Sequence, residues 1–337
     1  MLKLGFIGCG GINRYHAKII REGVEGIRIA AAADVSADAR AAFAKETPDA
    51  RLFENYRGML AKADIDAVCV GLPTGLHAAA TIAAAKAGKH VFCEKPMAMR
   101  LSDTDRMMAA CETAGVKLMI GHVRRYDNDW GTFKKIIDSG AIGRPILWRQ
   151  TAGGSMPGRW FMDAKMGGGP FIDGAVHNWD FANLVFGQPL EALCSIMRFL
   201  PDTTALDTGA AIVRYQSGDE VMLSWSWGLP RGCGAGGTME ALGPKGVVKF
   251  PGTFSEEGLE AYDKDKLGAY LLDTGSKKEL VTFQKKDMFA EEWKDFRDAL
   301  AGNRPPLTTG IASKTAVAVA LAVLKSGASR KPVQIKT

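Results

Sequence analysis

Short apolar runs alternate with longer stretches of helical spacing over the first 120 residues, and this alternation constrains the fold more than any other feature. The runs are Leu2–Ile7, Ile27–Ala33, Ala67–Leu72, His90–Cys93 and Lys117–Ile120. Between them lie Ile12–Arg21, Ala37–Lys45, Tyr56–Ala61, Leu76–Ala87 and Asp103–Ala114. Strands separated by helices of that length imply βαβ units and a parallel sheet. Right-handed crossovers then place helices on both of its faces. A chain of 337 residues has room for about two domains and needs no disulfide or metal staple.

Near residue 121 the texture changes. Residues 129–139 keep a helical pattern that Gly140 and Gly143 end. Then come Pro145–Thr151, Leu190–Phe199, Ala210–Tyr215, Val221–Trp227, Thr238–Leu242 and Val247–Phe250, punctuated by Gly, Pro and Asp. Strands that follow one another without helices between them suggest an antiparallel sheet. One helical insertion, Asp173–Val185, breaks the series, and two helices, 288–301 and 311–326, close the chain. The expected class is α/β. A doubly wound parallel-sheet domain (1–121) precedes an α+β domain (122–337) with a large, mainly antiparallel open sheet. The last helix is expected to pack back on the first domain.

Composition excludes several function classes. Apolar residues make up 47% and charged residues 24%, which is ordinary globular usage. Lys and Arg number 43 against 37 Asp and Glu, a net +6 that favours an anionic ligand without naming one. These cations form no basic run with interleaved aromatics, so no nucleic-acid partner is expected. Glycines break the opening MLKLGFIGCGG at once, which argues against a secretory signal. The Ala-rich segments 29–33, 78–85 and 316–324 are too short or interrupted for a membrane span. The six cysteines have no C-x-x-C spacing and read as reduced, mostly buried thiols of a cytoplasmic protein, with no metal site.

Gly8-Cys9-Gly10-Gly11-Ile12-Asn13 follows the first strand and opens the first helix. Gly8 permits a tight turn and Gly10 lets backbone approach a pyrophosphate. The amides of Gly11, Ile12 and Asn13 then sit at a helix N-terminus that favours an anion. Asn13 stands where a third Gly or Ala is usual. Asp34 ends the second strand 21 residues later, placed to accept hydrogen bonds from an adenosine ribose and to repel a 2′-phosphate. This favours NAD, with NADP left open through Arg40. A glycine turn with a capping Asp and no ligand is the bland alternative.

Two further segments carry reactive side chains. Glu94-Lys95-Pro96 ends an apolar strand, where ligands of open parallel sheets bind. Lys95 either donates a hydrogen bond to a substrate oxygen or is a solvated loop lysine. In Gly167-Gly168-Gly169-Pro170-Phe171-Ile172-Asp173-Gly174-Ala175-Val176-His177-Asn178-Trp179-Asp180, the first carboxylate and the imidazole are four apart and would share a helix face. A carboxylate beside an imidazole suits a general base. A helix-start Asp with a half-buried His fits equally. Arg124 and Tyr126 are candidates to bind a hydroxyl-rich ligand or to make a salt bridge. Trp160 either stacks on a ligand or anchors its loop.

Taken together, these residues resemble the Gfo/Idh/MocA oxidoreductase family. The likeness rests on the GCGG loop with His16, Asp34, Leu72-Pro73-Thr74 with His77, Glu94-Lys95-Pro96, and the Gly-Gly-Gly-x-x-x-Asp173-x-x-x-His177-x-x-Asp180 segment. Arg124-Arg125-Tyr126-Asp127 resembles its inositol dehydrogenase branch. Asn13 and Gly75, where Asn is frequent, depart from the pattern. The resemblance implies a Rossmann domain that holds NAD(P) through Gly8, Gly10, Gly11, Ile12, Asn13, Asp34, Leu72, Pro73, Thr74, His77, Glu94 and Lys95. It implies hydride transfer to or from a hydroxyl carbon of a sugar or cyclic polyol, with Lys95, Asp173 and His177 catalytic. Lys95, Arg124, Tyr126, Trp160, Asp173 and His177 would bind substrate. It also implies a homodimer or homotetramer through the C-terminal sheet. Redox-assisted glycoside cleavage with recycled NAD, or a non-catalytic cofactor-binding regulator, are the alternatives.

Overall fold

The computed structural model describes residues 1–337 apart from 256 and 258. The chain forms two compact units, Met1–Val123 with Asp287–Lys314, and Arg124–Lys286 with Thr315–Thr337. Each unit is therefore built from two chain segments.

In the first unit the strands are β1 (Leu2–Ile7), β2 (Ile27–Ala33), β3 (Arg51–Phe53), β4 (Ala67–Val70), β5 (His90–Glu94) and β6 (Leu118–Gly121). They alternate with α1 (Gly11–Gly23), α2 (Ala37–Glu46), α3 (Tyr56–Lys62), α4 (His77–Lys86) and α5 (Leu101–Thr113). The sheet order is β3-β2-β1-β4-β5-β6 and every pair is parallel. The order reverses between β1 and β4, and ligands of such sheets bind at this switch point. All four residues of β4 are buried, the continuous apolar pattern of a strand covered on both faces. The three-residue β3 is too short to leave a periodicity.

The second unit contains α6 (Asn128–Asp138), β7 (Leu147–Gly153), α7 (Val176–Phe186), β8 (Pro189–Met197), β9 (Thr208–Tyr215), β10 (Glu220–Ser226), β11 (Ala235–Gly243), β12 (Gly246–Lys249), β13 (Leu267–Asp273) and β14 (Lys278–Gln284). With β15 (Val333–Gln334) they order as β14-β13-β12-β11-β7-β10-β9-β8-β15. Only the β7–β10 pair is parallel among those described. The core is aromatic: Trp130, Phe133, Trp148, Phe181, Phe250 and Tyr270 pack with ring centroids 4.7–6.5 Å apart.

Two helices close the chain, α8 (Met288–Ala301) and α9 (Gly310–Ser329). Asp287 caps α8 by accepting from the amides of Phe289 and Ala290. Within the first unit α8 lies beside α1 and stacks Trp293 on Phe92 of β5, centroids 4.4 Å apart. At 20 residues α9 is long and apolar enough to cross a membrane, which the short Ala-rich segment did not foreshadow. Its Ala316, Val317, Val319, Ala320 and Val323 are buried within the fold, as in a core helix.

Candidate active site

The glycine loop sits at the switch point of the first unit. Gly8 has φ +98°, a backbone conformation that side chains avoid. Gly10 precedes α1 with no side-chain cap, and no acidic residue occupies the first turn. The first amides of α1 are thus left to a ligand, and the helix dipole favours an anionic one. A Cβ at Gly10 or Gly11 would meet no atom within 4 Å among the described residues, so the outer face of the loop is open. These features fit a pyrophosphate.

Asn13 explains how the loop tolerates a side chain at its third position. It is fully buried, and its Nδ2 donates to the carbonyls of Ile7 (3.0 Å) and Gly8 (2.8 Å). Its Oδ1 accepts from the Cys69 thiol at 3.3 Å. The room it needs is made by Gly71, directly after β4. Asp34 accepts from the amides of Cys9 and Ser36, both at 2.8 Å, and so ties the loop to the end of β2. Arg40 donates to the carbonyls of Asp34 (2.7 Å) and Val35 (3.2 Å), which commits one of its nitrogens to backbone. Burial, then Asp34, pushes the Cys9 thiol up to about 12, so it stays protonated.

The next two strand ends are joined by one histidine. His77, at the start of α4, places its ring nitrogens 2.7 Å from the Leu72 carbonyl and 2.9 Å from that of Pro96. Leu72 and Pro73 follow β4 rather than belonging to it, because Gly71 and Pro73 end the ladder. Thr74 is buried in the same turn. Glu94 is the last residue of β5 and 7% exposed. Its Oε2 accepts from the Lys95 amide at 3.0 Å, and its Oε1 faces His16 Nε2 at 2.7 Å. Burial raises the Glu94 carboxyl, but the His16 hydrogen bond and neighbouring positive charge outweigh it and hold it below the usual range.

The second unit holds the other candidates. Asp173 lies in a π-helical turn, Pro170–Gly174, in which Ala175 N donates to Pro170 O at 2.7 Å. The expected helix over Asp173–Val185 is thus two pieces, and Asp173 precedes α7 while His177 lies in its first turn. Asp173 is buried and His177 half-buried. Backbone packing accounts for the glycines before them, since a Cβ on Gly167 or Gly169 would lie 2.5 Å from the backbone of Phe161 or Leu206. Asp180 is committed to Arg125 through two 2.7 Å bonds in a buried fork. Arg124 stacks over Trp130 at 4.2 Å, and its Nη1 is buried with no acceptor among the described residues. Burial lowers its pKa to about 10, against the pull of Asp129, Asp127 and Asp180. Tyr126, two positions further on, is half-buried, and Trp160 stacks on Phe161 with centroids 3.8 Å apart.

Sequence reasoning missed Trp293 and Glu292 on α8 and Gly71 after β4, and it named Arg125 without its partner Asp180. None has a local signal, because each acts on a residue at least 55 positions away.

An open glycine loop, a parallel sheet of this order and an acid at the end of β2 define a dinucleotide-binding domain, here on a chain with a second α+β unit. The model described as "Oxidoreductase family, NAD-binding Rossmann fold" matches residues 2–122, and that for the "GFO/IDH/MocA C-terminal domain" matches 130–249. The chain belongs to the Gfo/Idh/MocA family of NAD-binding oxidoreductases. It is 27% identical to the myo-inositol 2-dehydrogenase of Thermotoga maritima, over 99% of each chain. It is 25% identical to the scyllo-inositol 2-dehydrogenase (NAD(+)) of Bacillus subtilis, over 99% of this chain and 96% of that one. A solved structure of a probable dehydrogenase from Thermotoga maritima is 27% identical and superposes with a TM-score of 0.78, over 99% of each chain.

Proposed function

We propose that this chain oxidises a ring hydroxyl of a cyclic polyol such as inositol, or of a sugar, with NAD as its cofactor. The observation that carries this reading is the likeness to inositol dehydrogenases along nearly the full length of both chains. The glycine loop, Asp34, the Leu72–Thr74 turn with His77, and Glu94 with Lys95 would hold NAD. When bound, that group supplies the nicotinamide carbon that takes the hydride.

The remaining chemistry belongs to three side chains. His177 takes the hydroxyl proton as general base. The Lys95 ammonium donates to the same oxygen and stabilises the negative charge that grows there. Asp173, buried in its π turn, orients the imidazole and accepts from a neighbouring hydroxyl. Arg124, whose buried Nη1 has no acceptor among the described residues, and Tyr126 would bind further hydroxyls, with Trp160 along a ring face. The test is NADH formation with a panel of inositols and aldoses in the presence of NAD. Turnover of at least one polyol is expected. Release of an aglycone from glycosides with no net NADH would overturn the reading.

The outer face of the second unit's sheet supports assembly into a homodimer or homotetramer. Leu193 and Met197 of β8 are 45% and 47% exposed and share that face. Five singly buried thiols support a reducing, cytoplasmic setting.

A further inference from the structure

A buried chain of hydrogen bonds runs from α8 to the backbone of Lys95. Trp293 Nε1 donates to His16 Nδ1 at 3.0 Å, and His16 Nε2 stands 2.7 Å from Glu94 Oε1. The Lys95 amide donates to Glu94 Oε2 at 3.0 Å. His16 and Trp293 are fully buried. Their rings are walled in by Phe92 and Phe289, with edge-to-face contacts to His16 at 5.4 and 5.6 Å.

The chemistry of the donors decides the tautomer. An indole N–H can only donate, so His16 Nδ1 must be the acceptor and carries no proton. The ring proton is therefore on Nε2, aimed at Glu94. The other tautomer would set two N–H groups against each other at Trp293 and leave Glu94 Oε1 facing a lone pair. A buried polar group left without its partner is strongly disfavoured, so the lock is firm. With one oxygen held by His16 and the other by its neighbour's amide, the Glu94 carboxylate has no free rotation.

We propose that His16, held in its Nε2–H tautomer by Trp293, is a positioning residue that acts through Glu94 to fix the turn from which Lys95 reaches the substrate oxygen. This rests on the reading of Lys95 as the group that binds that oxygen. It assigns a task to a helix nearly 200 residues downstream of Lys95. A displacement of about 1 Å in such a group costs up to about a hundredfold in rate, which sets the expected scale.

Two substitutions separate the two ends of the imidazole. His16→Gln keeps an N–H near the Nε2 position for Glu94, whereas His16→Asn keeps an acceptor near Nδ1 for Trp293 but falls short of Glu94. The glutamine variant is expected to retain most of kcat. The asparagine variant should lose on the order of tenfold or more, with NAD affinity and Tm alike in the two. Equal kcat in both variants, with an active parent, overturns the positioning role. A parent that turns over no polyol overturns the functional reading instead.

Nitrogen chemical shifts of the labelled His16 ring give a readout that does not depend on activity. They should show the proton on Nε2 in the parent and a mixture of tautomers in Trp293→Phe, which keeps the stack on Phe92. A proton on Nδ1 in the parent overturns the proposal. If neither His16 variant folds, Trp293→Phe decides: a severalfold fall in kcat sustains the proposal, and unchanged kcat and tautomer refute it.

Discussion

Asn13 occupies the space that a side chain at Gly71 would need: a Cβ there would lie 2.2 Å from Asn13 Oδ1 and 2.5 Å from its Cγ. The two residues form a size-complementary pair across the switch point, one following β4 and the other lying in α1 beneath the glycine loop. Gly71→Ala should therefore destabilise the protein by about 1–3 kcal/mol through overpacking. Asn13→Ala in the same chain should recover part of that loss, although its bonds to Ile7 and Gly8 go with it. A double-mutant cycle by urea unfolding measures the coupling, and strict additivity would refute the pairing.

Asp34 holds the glycine loop through the Cys9 amide, and on the function proposed above its carboxylate would disfavour a 2′-phosphate. Asp34→Ser is expected to raise KM for NAD by about tenfold or more while improving the ratio of NADP to NAD use. Parallel kinetics with both cofactors check this. An unchanged ratio would mean that cofactor choice lies elsewhere.

Glu292 is fully buried on α8, and neither carboxyl oxygen has a hydrogen-bond partner among the described residues. Burial, then Glu94 and Asp295, pushes it well above the ordinary 4.5. The folded protein thus keeps a proton that the unfolded chain gives up near pH 4.5. Its stability contribution is intact below that pH and declines as pH rises towards the folded value, by up to about 1.4 kcal/mol per pH unit. Glu292→Gln removes this slope. The variant's stability relative to the parent should therefore improve as pH rises above 4.5, as read by urea unfolding at each pH. A constant difference would refute the assignment.

Lys95→Ala and His177→Ala should each lower kcat by about 10²–10⁴-fold, the usual worth of a positioned proton-transfer or charge-stabilising group. NAD binding, followed by protein fluorescence, should survive in His177→Ala. Near-parental rates in both variants would remove these residues from the reaction.

The outward face of β8 gives a test of assembly. Leu193→Glu with Met197→Glu places two charges on an exposed apolar strand and should convert an oligomer to monomer. Light scattering after size exclusion reads the mass directly. A parent that is already monomeric, or an oligomer that survives both charges, would rule out this face.

Much of the fold was legible because it is written in local patterns. The limits of β1 and β2 follow from apolar runs bounded by turn residues, and they match the reading to the residue. The helix at 288–301 was equally plain from its spacing. β13 was not, since Leu267–Asp273 is almost wholly buried and lacks the alternation of a half-exposed strand. The π turn at Pro170–Gly174 was also unreadable, because the spacing of Asp173 and His177 suits an α-helix as well.

By itself, the sequence determined the βαβ order, the glycine loop, the acid at the end of β2 and the presence of Lys95, Asp173 and His177, because each depends on neighbours in the chain. Only the tertiary structure decided that Asn13 is accommodated by Gly71, that Asp180 belongs to Arg125, and that Trp293 sets the tautomer of His16. Those relations are short-range in space and long-range in sequence. Steric exclusion and hydrogen-bond direction act over a few ångströms, and residues 58, 55 and 277 positions apart meet only after the sheet and its helices have packed.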